Sequence, residues 1–421
     1  MHAIEKILAH NANLDHVHAG EIVVADVDFC EINDLYLQTV YSFYEMGGEY
    51  VFDNEKVAFV FDHYAPAPDI KSASNQEEMR AFRDKNKLKY HFDTNCGICH
   101  QVMPEKGVIR PGNIVVATDS HTTTHGAFGA FGTGVGATDM ATILMTGKLW
   151  FRVPEIININ LKGLPKEGVY AKDVVLYILG KIGADGAVYK AIDFTGEYID
   201  SLLVSERMTI CNMAVEMGAK TAYMQPNDAV LDYVKSRTDA EFTVYNTDDN
   251  FIYDEVYEFD LSEIDVQVAT PGSVDNVVKI DDALANGEVK VNQCYIGSCT
   301  NGRVDDLKIA ADILRGKHIA DNVRLVVIPA SSQVMIEAMN EGYITDLMMA
   351  GATISTPGCG ACLGAHQGIL SNGEVCISTT NRNFPGRMGS NEAQIYLASP
   401  ATVAASALYG VITKYEENIN A

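Results

Sequence analysis

The chain has 421 residues, 31 basic against 56 acidic side chains, a formal net charge of −25 and 47% hydrophobic residues. That length suits two to four domains of about 150 residues each, and the charge disfavours nucleic acid and anionic lipid as partners. No run approaches the roughly 20 apolar residues of a membrane span, and the Met1 end lacks a basic and then apolar leader, so a cytoplasmic location is expected.

Short β-rich apolar runs alternate with longer helical patterns, which reads as an α/β protein with mostly parallel sheets. Along the chain, strands are expected at 57–61, 114–117, 156–161, 295–296, 323–328 and 375–378. Helices are expected at 75–86, 171–182, 208–217, 304–315 and 331–340. The tail from Glu392 reads as helical, with an Ala-rich stretch at 398–407. Boundaries near Val153-Pro154-Glu155 and Thr270-Pro271-Gly272 divide the chain into three α/β domains, 1–154, 155–271 and 272–421. In a reducing compartment its nine cysteines are expected as buried thiols or metal ligands, not disulfides.

Chemically capable clusters begin where the expected strands stop. Asp62-His63 follows 57–61, Cys99-His100 comes after Tyr90-His91-Phe92, and Asp119-Ser120-His121 follows 114–117. Further on, Ser298-Cys299-Thr300-Asn301 follows Tyr295-Ile296, and Cys359-Gly360-Ala361-Cys362 comes after Thr353-Ile354-Ser355. Asn381-Arg382, with Arg387 beyond, follows Cys376-Ile377-Ser378. Parallel α/β sheets bind ligands beyond the carboxyl ends of their strands, so one composite site drawn from both ends of the chain is expected.

Each cluster has a chemical reading and a plainer one. Cys359 and Cys362, at C-x2-C spacing, can hold one metal or cluster together with Cys299 from a second glycine-bearing loop. Cys96 and Cys99 form another C-x2-C, so a zinc site built from both pairs stays open. Carboxylates beside imidazoles in Asp62-His63 and Asp119-Ser120-His121 suit general acid–base work, although a lone histidine more often simply packs. His125 is the weaker case and lines the same loop. Arg382 and Arg387 either fork onto substrate carboxylates or form surface ion pairs. Asn212 and Glu216 stand at i, i+4 on one face of the 208–217 helix. The glycine run from Gly126 to Gly136 lacks Gly-Lys-Ser/Thr and reads as close backbone packing around the site, not as a phosphate loop.

Together these residues resemble the aconitase superfamily. Gly297-Ser298-Cys299-Thr300-Asn301 and Cys359-Gly360-Ala361-Cys362 are similar to its cluster cysteines. Asp62-His63, His100-Gln101, Asp119-Ser120-His121, Asn212, Glu216 and the stretch from Asn381 to Arg387 are similar to its active-site motifs, in order across nearly the whole chain. The resemblance implies three α/β domains around one 4Fe–4S cluster held by Cys299, Cys359 and Cys362, with one iron left open as a Lewis acid. It implies a hydro-lyase in which Asp62 orients His63 as the general acid and His100, Asp119 and His121 hold water, hydroxyl and carboxylate. Glu216 completes the catalytic set, and Ser120, Asn212, Asn381, Arg382 and Arg387 bind substrate.

The family's swivelling fourth domain has no counterpart here, so the chain resembles the large subunit of the two-subunit branch. A small subunit is then the implied partner, supplying the serine base and the specificity loop. The implied substrate is a branched 2-hydroxy dicarboxylate, either 2,3-dimethylmalate or 3-isopropylmalate. Homoaconitase- or aconitase-like activity is the alternative, and a redox or regulatory iron–sulfur or zinc protein is the non-enzymatic one. Two departures bear on substrate. The stretch from Asn33 to Thr39 lacks the proline usual in leucine-pathway members, and Thr123 stands where they usually carry cysteine. These departures give dimethylmalate equal weight with isopropylmalate.

Overall fold

A computed structural model describes residues 1–285 and 287–416. The first sheet runs in the order Tyr90–Phe92, Val57–Val60, Phe29–Asn33, Ile114–Ala117, Phe131–Gly134, with every pairing parallel. Val57–Val60 and Ile114–Ala117 are buried throughout, as uninterrupted apolar runs in a parallel sheet require. A second parallel sheet joins Thr221–Tyr223, Ala191–Thr195, Ile156–Lys162 and Glu255–Asp260. The third has seven strands in the order Val277–Lys279, Gln267–Ala269, Gln394–Leu397, Val375–Ser378, Gln293–Ile296, Arg324–Val327, Thr353–Ile354. Its last five strands pair in parallel, whereas Gln267–Ala269 is antiparallel to both its neighbours. A separate antiparallel ribbon pairs Ile22–Asp26 with Lys148–Arg152.

Several elements differ from their sequence patterns for local reasons. The third sheet takes its first strand from Gln267, upstream of Pro271. The helix expected at 75–86 begins at Ile70, because the Asp69 carboxylate accepts the Ser72 N–H at 2.7 Å and caps an earlier turn. The 208–217 helix is two pieces, Val204–Met213 and a 3-10 turn Ala214–Met217, closed by Gly218 at φ 85°. The tail from Glu392 is not helical at its start: Gln394–Leu397 is a strand, and the helix is Pro400–Tyr409. Burial of Ile395 and Leu397 follows period 2, and Pro400 opens the helix where its missing N–H costs nothing.

The largest buried apolar cluster runs from the helices over the second sheet to Cys299 and Cys359, so the site rests on a rigid floor. Among the described residues no helix is long and apolar enough to cross a membrane.

Candidate active site

All six sequence clusters leave the carboxyl ends of their strands and converge. The Asp62-His63 turn is held from below by Asp34. Its Oδ1 accepts the N–H groups of Asp62 (3.3 Å) and His63 (3.0 Å), and its Oδ2 accepts that of Tyr64 (2.8 Å). Asp62 in turn places Oδ1 2.6 Å from His63 Nδ1 and accepts the Cys99 N–H on Oδ2 at 2.8 Å. His63 Nε2 is thereby aimed toward Asp119 Oδ2, 3.6 Å away. Burial pulls the imidazole's pKa down, but the Cys359 sulfur and the Asp62 carboxylate outweigh it and hold the value well above the ordinary one.

Asp119 joins two more imidazoles. Its Oδ1 lies 2.9 Å from His100 Nε2 and 3.4 Å from His121 Nδ1, and accepts the His121 backbone N–H at 2.7 Å. Burial pushes its carboxyl up, yet His100 and His121 outweigh that and hold it well below the usual carboxylate range. His121 Nε2 reaches Glu216 Oε1 at 2.7 Å, and Arg382 Nε donates to the same carboxylate at 2.8 and 3.1 Å. Arg382 Nη2 continues to Ser120 Oγ at 3.0 Å. Burial raises Glu216, and the His121 and Arg382 contacts more than reverse it. His63, Asp119, Ser120, His121, Arg382 and Arg387 line one cleft of 560 Å³. Arg387 Nε is buried with no partner among the described residues, a donor aimed at an acceptor the chain does not supply.

Cys299, Cys359 and Cys362 are all buried beside this cleft, on two loops. Ser298 adopts φ 79° to turn Cys299 inward, and Gly360 adopts φ 54° between the other two cysteines. One side chain touches two of the sulfurs: Asn381 Nδ2 donates to Cys299 Sγ at 3.3 Å, and its Oδ1 is 3.8 Å from Cys362 Sγ. Arg387 Nη2 donates to Cys362 Sγ at 3.7 Å. Cys359 N–H donates to the Asp62 carbonyl at 2.8 Å, which ties the cysteine loop to the first sheet. Burial, with Asp119 and Cys362 adding to it, pushes the Cys299 thiol up to about 12. Burial likewise pushes Cys359 up, against the pull of His63. Three buried thiols with N–H donors at sulfur form a donor set that a cationic metal–sulfur centre satisfies, since it takes them as thiolates and supplies the missing positive charge.

Asp62, His63 and Cys359 also bring ligand atoms within 4.8 Å of one another. Both Asp62 oxygens are already committed to His63 and the Cys99 N–H, so this trio is a hydrogen-bond chain, not a ligand set. The zinc arrangement left open by the two C-x2-C pairs does not form among the described residues. Cys99 turns its thiol toward Glu31, and Cys96 lies half-buried near Lys106 and Asp93.

Some residues take roles their sequence context did not announce. Arg303 is fully buried, with Nη2 on the Cys299 carbonyl and Nη1 on that of Thr300, both at 2.6 Å, and Nε on Gln101 Oε1 at 2.9 Å. Its only signal was an arginine two residues beyond the Thr300-Asn301 turn. Asp34 lies in the Asn33 to Thr39 stretch, where the missing proline drew the reading away from the carboxylate. Asn212 reaches the site, donating to Thr124 Oγ1 (2.8 Å) and accepting from Thr300 Oγ1 (3.0 Å) and Asn381 Nδ2 (3.4 Å). His125 packs its ring edge-on against His100 at 5.3 Å, and burial together with His100 pushes its pKa well down. The glycine run does pack tightly: a Cβ on Gly134 would stand 2.7 Å from the Asp119 carbonyl oxygen and 2.9 Å from Ser120 Cα.

Such a site on three parallel-rich sheets defines a class. The sequence pattern of the aconitase family (aconitate hydratase) matches residues 5–410, and the chain belongs to that family. Among its relatives, 3-isopropylmalate dehydratase large subunit 1 of Methanopyrus kandleri is 49% identical, covering 97% of each chain. A probable methanogen homoaconitase large subunit of Methanothermobacter thermautotrophicus is 48% identical over 98% of this chain and 97% of its own. The 2,3-dimethylmalate dehydratase large subunit of Eubacterium barkeri is 45% identical over 98% of both. In fold, the chain is similar to aconitase X of Thermococcus kodakaraensis, with a TM-score of 0.52 at 12% identity over 99% of this chain and 94% of that one.

Proposed function

We propose that the chain is the large subunit of a cytoplasmic, heteromeric hydro-lyase that reversibly dehydrates a branched 2-hydroxy dicarboxylate, 2,3-dimethylmalate or 3-isopropylmalate. Relatives of both names stand at 45–49% identity. The observation that carries this reading is a cleft lined by His63, Asp119, His121, Arg382 and Arg387, with the three buried thiols and His100 beside it. Cys299, Cys359 and Cys362 would hold a 4Fe–4S cluster through three cysteine ligands, leaving one iron open. When bound, that cluster supplies Lewis-acid polarisation of the substrate hydroxyl and carboxylate. In this reading each of the three larger sheets belongs to one α/β domain, and the pairing of Gln267–Ala269 within the third sheet supports a second boundary ahead of Gln267.

The chain's own residues account for binding and proton handling. His63, its ring held through Nδ1 by Asp62 Oδ1 at 2.6 Å, gives its Nε2 proton to the departing hydroxyl. Asp119 holds His100 and His121, which orient the water and the hydroxyl. Glu216 fixes Arg382, which with Ser120 and Arg387 receives the substrate carboxylates. Asn381 lies against Cys299 and Cys362, and Asn212 accepts from Asn381 and positions it. The carbon-acid proton is removed by a base on a small subunit that closes the cleft and carries the specificity loop. The experiment combines the anaerobically reconstituted chain with its small subunit and presents isopropylmalate, dimethylmalate, homocitrate-type and citrate-type acids. Turnover of a branched dicarboxylate by the pair alone supports the reading. Full turnover by the isolated chain overturns the split site, and preference for a tricarboxylate overturns the substrate class.

A further inference from the structure

Lys172 is a buried cation that none of the roles above uses. It sits in the first turn of the helix Ala171–Ile182 and is 0% exposed. Its Nζ donates to the Thr379 carbonyl at 2.8 Å and the Thr380 carbonyl at 2.7 Å. No carboxylate approaches it within ion-pair distance among the described residues. Its neighbour Asp173 is occupied elsewhere, accepting the N–H groups of Tyr170 and Gln267, each at 2.9 Å. A fully buried ammonium held only by neutral carbonyls lacks the counter-charge that buried ions normally have. Burial drives its pKa down to about 7 against the opposing pull of the Cys362 and Cys299 sulfurs and then of the Asp306 and Glu216 carboxylates, neither of which comes within ion-pair distance.

The two carbonyls it holds belong to the residues immediately before Asn381 and Arg382. Thr379 is further anchored by its own hydroxyl, whose oxygen accepts the Gly297 N–H and lies 3.0 Å from the Gly297 and Asn301 carbonyl oxygens, and so links this strand end to the Cys299 loop. One ammonium therefore fastens the backbone from which Asn381 reaches the sulfurs and Arg382 reaches Glu216 and Ser120. Arg303 grips the carbonyls of Cys299 and Thr300 in the same way.

We propose that Lys172 is a positioning residue whose charge is the internal counter-ion of the three-thiolate centre and whose grip on Thr379 and Thr380 sets Asn381 and Arg382. This rests on the reading of Cys299, Cys359 and Cys362 as cluster ligands. The lysine thus has two separable duties, a geometric one met by any pair of donors and an electrostatic one met only by a positive charge. A merely structural lysine would perform the first alone.

The test uses the full chain, reconstituted anaerobically with iron and sulfide, as wild type and as Lys172→Met, Lys172→Gln and Lys172→Arg. The readouts are iron and acid-labile sulfide per chain, the thermal midpoint of the metal-free chain, and the midpoint reduction potential followed by electron paramagnetic resonance. Losing the positive charge disfavours the more negative, reduced centre. Lys172→Met and Lys172→Gln are therefore expected to shift the one-electron equilibrium about tenfold, ~60 mV toward negative potential, while Lys172→Arg stays near wild type. Neutral variants that fold like wild type without metal but retain no iron, with Lys172→Arg retaining it, give the same support. Neutral variants with full iron and an unchanged potential overturn the proposal. So does an equal loss of the metal-free fold in all three variants, Lys172→Arg included. A wild-type chain that binds no iron and sulfide refutes the cluster reading itself, which the variants do not address.

Discussion

Glu216→Gln isolates the contact that joins the acid–base cluster to the substrate arginine. Glu216 is buried and accepts from His121 Nε2 at 2.7 Å and from Arg382 Nε at 2.8 Å. The amide keeps the shape and one acceptor but removes the charge that both partners face. Deleting one member of a buried ion pair costs about 3–5 kcal/mol, but the Arg382 side chain keeps 24% exposure and water screens part of that loss. What remains is the worth of a hydrogen bond to a charged group, about 1.5–3 kcal/mol, or roughly 10- to 150-fold in kcat/KM. Most of it should fall on KM, because a freed Arg382 binds the ground-state carboxylate less well. The assay is a double-mutant cycle of Glu216→Gln, Arg382→Gln and the double variant in the small-subunit complex, at matched iron content. The pair should be coupled by more than about 1 kcal/mol. Effects that add to within about 0.5 kcal/mol would refute the claim that Glu216 works through Arg382.

His63→Ala should lower kcat by about 10²- to 10⁴-fold with iron content unchanged, as expected for a positioned general acid, and a near-wild-type rate would remove it from the mechanism. Asp119 is ionised in the fold to well below its ordinary value, although burial opposes this, because His100 and His121 bind its charged form. Its stabilisation is therefore complete above the unfolded value of about 3.9 and is lost as pH falls through the lower folded value. Asp119→Asn should reduce the thermal midpoint of the metal-free chain at neutral pH and flatten its decline below about pH 4 in a melting series. Gly134→Ala drives a methyl against the Asp119 carbonyl and Ser120 Cα, both backbone, so about 1–3 kcal/mol of overpacking should appear as a lower melting temperature and reduced kcat/KM. An unchanged melt and rate would show that the Asp119–Ser120 turn yields freely.

What was legible in the sequence is what local composition encodes. The strands Val57–Val60, Ile114–Ala117 and Val375–Ser378 are short apolar runs, and each reactive cluster follows its strand within a few residues, so both run and cluster can be read together. The Glu392 tail was misread because Ala-rich helical residues beyond Pro400 masked a four-residue strand whose period-2 burial only its partner strands reveal. The spacing of Asn212 and Glu216 suggested one helix, yet the left-handed turn at Gly218 closes a 3-10 segment, and both side chains reach the site by different routes. Lys172, Arg303 and Asp34 were invisible for another reason. The partners of Lys172 and Asp34 are backbone groups brought close only by the tertiary fold, 207 and 208 residues away for Lys172 and 28 to 30 for Asp34. Arg303 grips the nearby Cys299 and Thr300 carbonyls and meets Gln101, 202 residues off, only in the fold.

The most direct test measures dehydration of a branched 2-hydroxy dicarboxylate by the small-subunit complex, reconstituted in parallel with iron plus sulfide, with zinc, and with no metal. Turnover is expected only in the iron–sulfide preparation, and it should disappear when Cys299, Cys359 or Cys362 is replaced by serine. Equal turnover with zinc or without metal would contradict a cluster-dependent hydro-lyase built on those three thiols.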